Sequence, residues 1–80
     1  MTLLSELKIG QEAVIDEIQG TDSISMRLME MGLLPGETIS MTGRAPLGDP
    51  LEFQVTGIQL SLRKGEANRI HVRPVEATSP

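Results

Sequence analysis

Cysteine, tryptophan and tyrosine are absent from these 80 residues, Phe53 is the sole aromatic, and His71 is the sole histidine. Without cysteine there is no disulfide framework and no thiolate zinc or iron–sulfur site. With one histidine the chain lacks the two-histidine, one-carboxylate set common in non-haem iron sites. Aromatic side chains interleaved with basic ones, on which nucleic-acid bases stack, are also missing, and the net charge of −4 opposes a polyanion. No run of about 20 apolar residues exists to insert into a membrane. Met1 to Gly10 lacks the basic stretch followed by an apolar one that marks a secretory leader, and the lack of cysteine fits a reducing cytoplasm. The eight glycines stand singly, so no glycine-rich loop is present to cradle a phosphate, and there is no strained Ser elbow. The expectation is a binding protein, not an enzyme, with no cofactor and no resident metal.

What is present is aliphatic and short. Hydrophobic residues make up 39% of the chain, with five methionines among them. The length fits one domain at most, since domains usually run to roughly 100–150 residues. Leu3, Leu4 and Leu7 before Gly10 predict a helical turn. Val14, Ile15 and Ile18 predict a strand over Glu12–Ile18. Thr21, Asp22 and Ser23 offer N-cap oxygens, and Ile24, Leu28 and Met31 follow at the spacing of one helix face. Gly32 stands where the helix must stop, with Leu33 folding back on the last turn. Leu34-Pro35-Gly36-Glu37 carries the signature of a tight turn: Pro35 presets φ and Gly36 supplies φ > 0.

Alternation then predicts strands through Ile39–Met41, Leu51–Val55, Ile58–Leu62 and Ile70–Val72, with a phase switch at Thr56-Gly57 that implies a tight turn or bulge. Arg63 to Asn68 fits a single helical turn. The sum is a mainly β fold: a small, curved sheet of about five strands that closes on itself, with one short helix inserted near the front. Residues 1–75 form the domain, and 76–80 read as a flexible tail.

Five features are candidates for chemistry or binding. His71 falls on the outer face of its strand, as a solvated histidine does. The carboxylate pairs Asp16/Glu17 and Asp49/Glu52 would bind hard cations weakly, and otherwise form solvated acidic faces. Residues 61–80 hold four basic against two acidic residues, while residues 1–60 hold three against nine. That end offers a basic patch to an acidic partner, or simply charged edge protection. Met26 and Met29 lie off the Ile24–Leu28 face, as core filler or as an adaptable binding surface. The loop Ala45-Pro46-Leu47-Gly48-Asp49-Pro50 is the most specific. Its two prolines extend the residues before them, Gly48 permits φ > 0, and Leu47 sits at the tip, either folded over the mouth of the sheet or presented outward.

Met31-Gly32-Leu33-Leu34-Pro35-Gly36, then Ala45-Pro46-Leu47-Gly48-Asp49-Pro50, then Leu62-Arg63 with Glu66-Ala67 and Ile70-His71-Val72 resemble the ferrous iron transport protein A (FeoA) family, over about Leu3 to Val75. The resemblance implies an SH3-like barrel with Gly32, Pro35, Gly36 and Pro50 as structural positions. It implies a small cytoplasmic protein without enzymatic activity of its own. The implied partner is a membrane ferrous iron transporter bearing a cytoplasmic GTPase domain. The expected contact surface is Arg44, Pro46, Leu47, Gly48 and Asp49, flanked by Arg63 and Glu66. Self-association is a further mode of partnering for so small a chain; neither nucleic acid nor direct membrane insertion is expected. Two alternatives are a ferrous ion carrier or sensor using carboxylates and His71, and the C-terminal module type of a metal-dependent transcriptional repressor.

Overall fold

The computed structural model describes residues 2–75. Met1 and the expected tail, 76–80, lie outside the described residues. In chain order the elements are β1 (Thr2–Leu3), a 3-10 turn (Leu4–Glu6), β2 (Glu12–Ile18), α1 (Ser23–Glu30), β3 (Thr38–Arg44), β4 (Leu51–Val55), β5 (Ile58–Leu62), α2 (Lys64–Ala67) and β6 (Ile70–Pro74). All strand pairs are antiparallel, in one sheet of order β1-β6-β2-β3-β4-β5. Five strands fall where alternation predicts them. The sixth, β1, is the two-residue piece Thr2–Leu3, which the leucine spacing assigned to a helical turn; only Leu4–Glu6 takes that turn. Two residues are too few to show a period of two.

Alternation along the strands sends one set of side chains inward. Ala13 and Ile15 of β2, Ile39 and Met41 of β3, Leu51, Phe53 and Val55 of β4, and Ile70 and Val72 of β6 are buried in one core. Leu4, Leu7, Leu28, Leu33, Leu62 and Ala67 close its ends. Phe53 anchors the middle, opposite Met41 on one side and Leu60 on the other. Register shifts at Ile15/Glu17 and at Met41/Gly43 add an extra residue to β2 and β3. Such bulges bend a strand and increase its twist, which lets a short sheet wrap around its own inner face.

Helix α1 starts and stops as the sequence requires. Asp22 caps it, its Oδ1 accepting from the Ser25 N–H at 3.2 Å. At the other end Leu33 N–H donates to Leu28 C=O and Gly32 N–H to Met29 C=O, with Gly32 at φ 102°. This is the paired pattern that ends a helix at a left-handed residue. The buried face differs from expectation: Ser25 and Leu28 are buried, while Ile24 is exposed and Met31 half-buried. Ser25 can point inward because its hydroxyl donates to the Asp22 carbonyl at 2.9 Å, which leaves no polar group unmet. The inward face is thereby rotated away from Ile24. After α1, the Leu34–Glu37 turn closes with Glu37 N–H to Leu34 C=O at 3.1 Å and feeds β3.

Candidate functional site

Strand pairing brings the expected contact residues to one end of the sheet. Arg44 of β3 is opposite Leu51 of β4, and Leu51 is opposite Leu62 of β5, so Arg44, the Ala45–Pro50 loop and Arg63 share that end. The loop is tied across its base. Ala45 N–H donates to Pro50 C=O at 2.9 Å, and Gly48 N–H donates to Ala45 C=O at 2.8 Å, with Gly48 at φ 86°. The Asp49–Pro50 peptide is cis. A third tie leaves the loop altogether: Asp49 Oδ1 accepts from the Lys64 N–H at 2.8 Å. Lys64 is the first residue of α2, whose leading N–H groups have no partner within the helix, so Asp49 caps that helix from the loop between β3 and β4.

Held in this way, the loop projects Leu47 into solvent. Its side chain is 95% exposed, the highest among the described large hydrophobic residues. Of the two placements open to it, folded over the mouth of the sheet or presented outward, the structure has the second. Pro46 beside it is also exposed. Arg44 is exposed, with one guanidinium nitrogen 3.5 Å from the Met41 sulfur, and Arg63 is exposed at the start of α2.

Glu66 does different work. One carboxylate oxygen accepts from the Arg63 N–H at 2.9 Å, and the other pairs with Arg27 of α1. The side chain is 15% exposed. Both oxygens are committed within the chain, so Glu66 joins α2 to α1 and sets the Arg63 turn. The Arg27–Glu66 and Asp49–Lys64 links were invisible in the sequence, because nothing in local spacing marks a partner far along the chain.

The other candidates separate. Asp16 is engaged by Arg73 at 2.5 Å, and Glu52 accepts from Gln59 at 3.3 Å. Neither Asp16/Glu17 nor Asp49/Glu52 presents two free converging carboxylates, and no group of three or more potential ligands gathers among the described residues. The basic end is broken up in the same way: Arg69 pairs with Asp22 at 2.7 Å and Arg73 with Asp16, which among the described residues leaves Arg63 and Lys64 as its outward cations. The Arg69 guanidinium, followed by the Ser25 N–H, holds the Asp22 carboxyl below its usual range. A shallow open depression lined by Gln19, Gly20, Thr21, Asp22 and Arg69 lies at this ion pair, whose charges already satisfy each other.

His71 corrects the expectation of a solvated residue. Its side chain is 12% exposed, and its Nδ1 is buried 3.5 Å from a Glu17 oxygen without a hydrogen-bond partner. The cause is β1, which pairs with β6 on the side away from β2, so His71 has a strand on either flank, Leu3 and Glu17 being opposite it. On α1, Met26 and Met29 are exposed.

Comparison with known proteins agrees with this architecture. The FeoA domain model matches residues 2–74. A Porphyromonas gingivalis Fe(2+) transport protein A/Fe(2+) transporter FeoB fusion protein is 36% identical over 76 residues, 95% of this chain but 9% of the fusion's length. The solution structure of FeoA from Chlorobium tepidum is 35% identical, with a TM-score of 0.88 over 98% of this chain and 74% of that one. The crystal structure of Stenotrophomonas maltophilia FeoA, a procaryotic SH3 domain protein in complex with zinc, is 37% identical, with a TM-score of 0.81 over 90% of this chain and 89% of that one. With its six-stranded SH3-like sheet and a family match spanning nearly all of its length, the chain belongs to the FeoA domain family of ferrous iron transport.

Proposed function

We propose that this chain is a cytoplasmic accessory module of ferrous iron uptake that docks on the cytoplasmic part of a membrane Fe(II) transporter, GTPase domain included. It acts by protein–protein contact and performs no chemistry of its own. The single observation that carries this reading is Leu47, an aliphatic side chain 95% exposed at the tip of a loop pinned at its base and to α2. A loop already held in one shape loses little conformational freedom on binding. The P. gingivalis fusion supports the choice of partner, because there a homologous segment is part of the same polypeptide as a Fe(2+) transporter.

In this reading Leu47 is the apolar anchor, Pro46 and Gly48 shape its approach, and Arg44 and Arg63 set orientation against an acidic surface. Asp49 and Glu66 hold the platform. No helix among the described residues is long and apolar enough to cross a membrane. The test is a titration of labelled protein with the transporter's soluble cytoplasmic domain, followed by GTP turnover with and without the protein. Leu47→Ala and Arg44→Glu are expected to weaken binding and to remove any change in turnover. Unchanged affinity in both variants would exclude this surface.

A further inference from the structure

Among the described residues the sheet does not close by hydrogen bonds, and its two edges are treated differently. β1 ends one side with only two residues, too short to template another strand. β5 ends the other side with five, Ile58-Gln59-Leu60-Ser61-Leu62. This edge carries no charge, no proline and no bulge, the devices that ordinarily block pairing with a second chain.

Hairpin geometry says which backbone groups it offers. Thr56 and Gly57 have φ of 47° and 81°, both positive, so they form the two-residue turn that fits a twisted hairpin. Val55 and Ile58 flank it as the closing hydrogen-bonded pair, and Phe53/Leu60 and Leu51/Leu62 repeat that pairing. Ile58, Leu60 and Leu62 therefore spend their backbone groups on β4. The N–H and C=O of Gln59 and Ser61 point outward, and neither has a backbone partner among the described residues.

We infer that β5 is a homodimerisation edge, which takes the β5 of a second copy of this chain in antiparallel register centred on Leu60. The strand is self-complementary in that register. Gln59 faces the partner's Ser61 and exchanges both hydrogen bonds with it, and Ser61 does the same with the partner's Gln59. Leu60 then meets the partner's Leu60 at the closer, non-hydrogen-bonded spacing, and Ile58 stands opposite the partner's Leu62, whose side chain is already buried in its own core. Ile58 is 56% exposed and Leu60 is half-buried, so the pairing covers apolar surface that the single chain leaves open. Charge does not oppose it: the nearest flanking cation, Arg63, lies about 20 Å from its symmetry copy at strand rise, beyond the screening length in physiological salt. A two-fold axis through Leu60 makes the contact isologous, so it closes at two copies.

One strand per copy buries less than the roughly 1,200 Å² of a standard stable interface, so the equilibrium is weak, with a Kd on the order of 0.1–1 mM. This inference is independent of the loop and its partner. It is tested on the full chain by sedimentation and amide exchange, from about 0.05 to 2 mM so as to bracket that Kd. The apparent mass rises towards twofold, and exchange at Gln59 and Ser61 slows with concentration, while Ile58, Leu60 and Leu62, already bonded to β4, do not change. Ser61→Pro removes an outward N–H that β4 does not use, and Ile58→Lys places a charge at an exposed position; each abolishes both effects. A constant apparent mass overturns the inference. So does association that survives both substitutions but is lost in Leu47→Asp, or protection of Gln59 and Ser61 that arises only when the transporter's cytoplasmic domain is added.

Discussion

Replacing Asp49 by alanine separates the loop's shape from its apolar tip. The carboxylate accepts the Lys64 N–H at 2.8 Å and is the one side-chain link seen between the loop and α2. Losing a cap of this kind costs about 1 kcal/mol. In urea the midpoint of Asp49→Ala should fall with the slope unchanged, because no new surface is exposed in the native state. The same loss reappears in binding if the docked loop must be held in the native shape: about 1 kcal/mol is roughly a fivefold rise in Kd for the transporter's cytoplasmic domain. Leu47→Ala predicts the opposite division. Its side chain is 95% exposed, so folding stability should not change. Burying a leucine in a partner is worth about 1.5–3 kcal/mol, so affinity should fall by about tenfold to a hundredfold. Chemical denaturation and fluorescence titration on the two single variants and the double variant complete the test. If Asp49→Ala left both midpoint and affinity at wild-type values, the view that this carboxylate stiffens the docking surface would be refuted.

Phe53→Ala should cost about 3–5 kcal/mol, against a total of roughly 4–12 kcal/mol for a chain of this size, and calorimetric melting should show a transition lowered by tens of degrees or lost. Gly32→Ala should destabilise by about 1–2 kcal/mol in urea through backbone conformation alone, since φ is 102° and a Cβ there would meet nothing within 4 Å. Asp22 has its carboxyl lowered by Arg69, so its contribution is present above the unfolded carboxylate pKa and is lost as pH falls through the folded value. The stability advantage of wild type over Asp22→Asn should therefore be flat near neutrality and vanish in acid, as read from denaturation at stepped pH. Anaerobic calorimetry with Fe²⁺ should give no stoichiometric micromolar binding by the isolated chain, because Asp16, Asp49 and Glu52 already have partners within it.

Most of the fold was legible because the strands carry strict alternation and the turns carry residues with one conformational use. Gly32 and Gly36 adopt the positive φ their turns demand, and the alternating sets Ile39/Met41, Leu51/Phe53/Val55 and Ile70/Val72 are buried. The helix was legible in extent but not in orientation. Its buried face turned on Ser25, a polar residue whose hydroxyl is satisfied by Asp22, and hydrophobic spacing cannot register that. β1 escaped notice because two residues have no period, and with it went the covering of His71. For the site, composition identified the loop, since Pro46, Gly48 and Pro50 each restrict or free the backbone in a known way. It did not reveal what holds the loop. Asp49 to Lys64 and Glu66 to Arg27 are contacts made only after the chain has folded.

The central claim is that a stiff loop with an outward leucine is the surface the transporter meets. Its most direct test is amide chemical-shift mapping of the ¹⁵N-labelled chain as the transporter's soluble cytoplasmic domain is added. The account predicts perturbations centred on Arg44, Ala45, Leu47, Gly48 and Asp49, extending to Arg63 and Lys64, with α1 silent. Perturbations confined to Met26, Met29 and the rest of α1, with the loop unmoved, would contradict it.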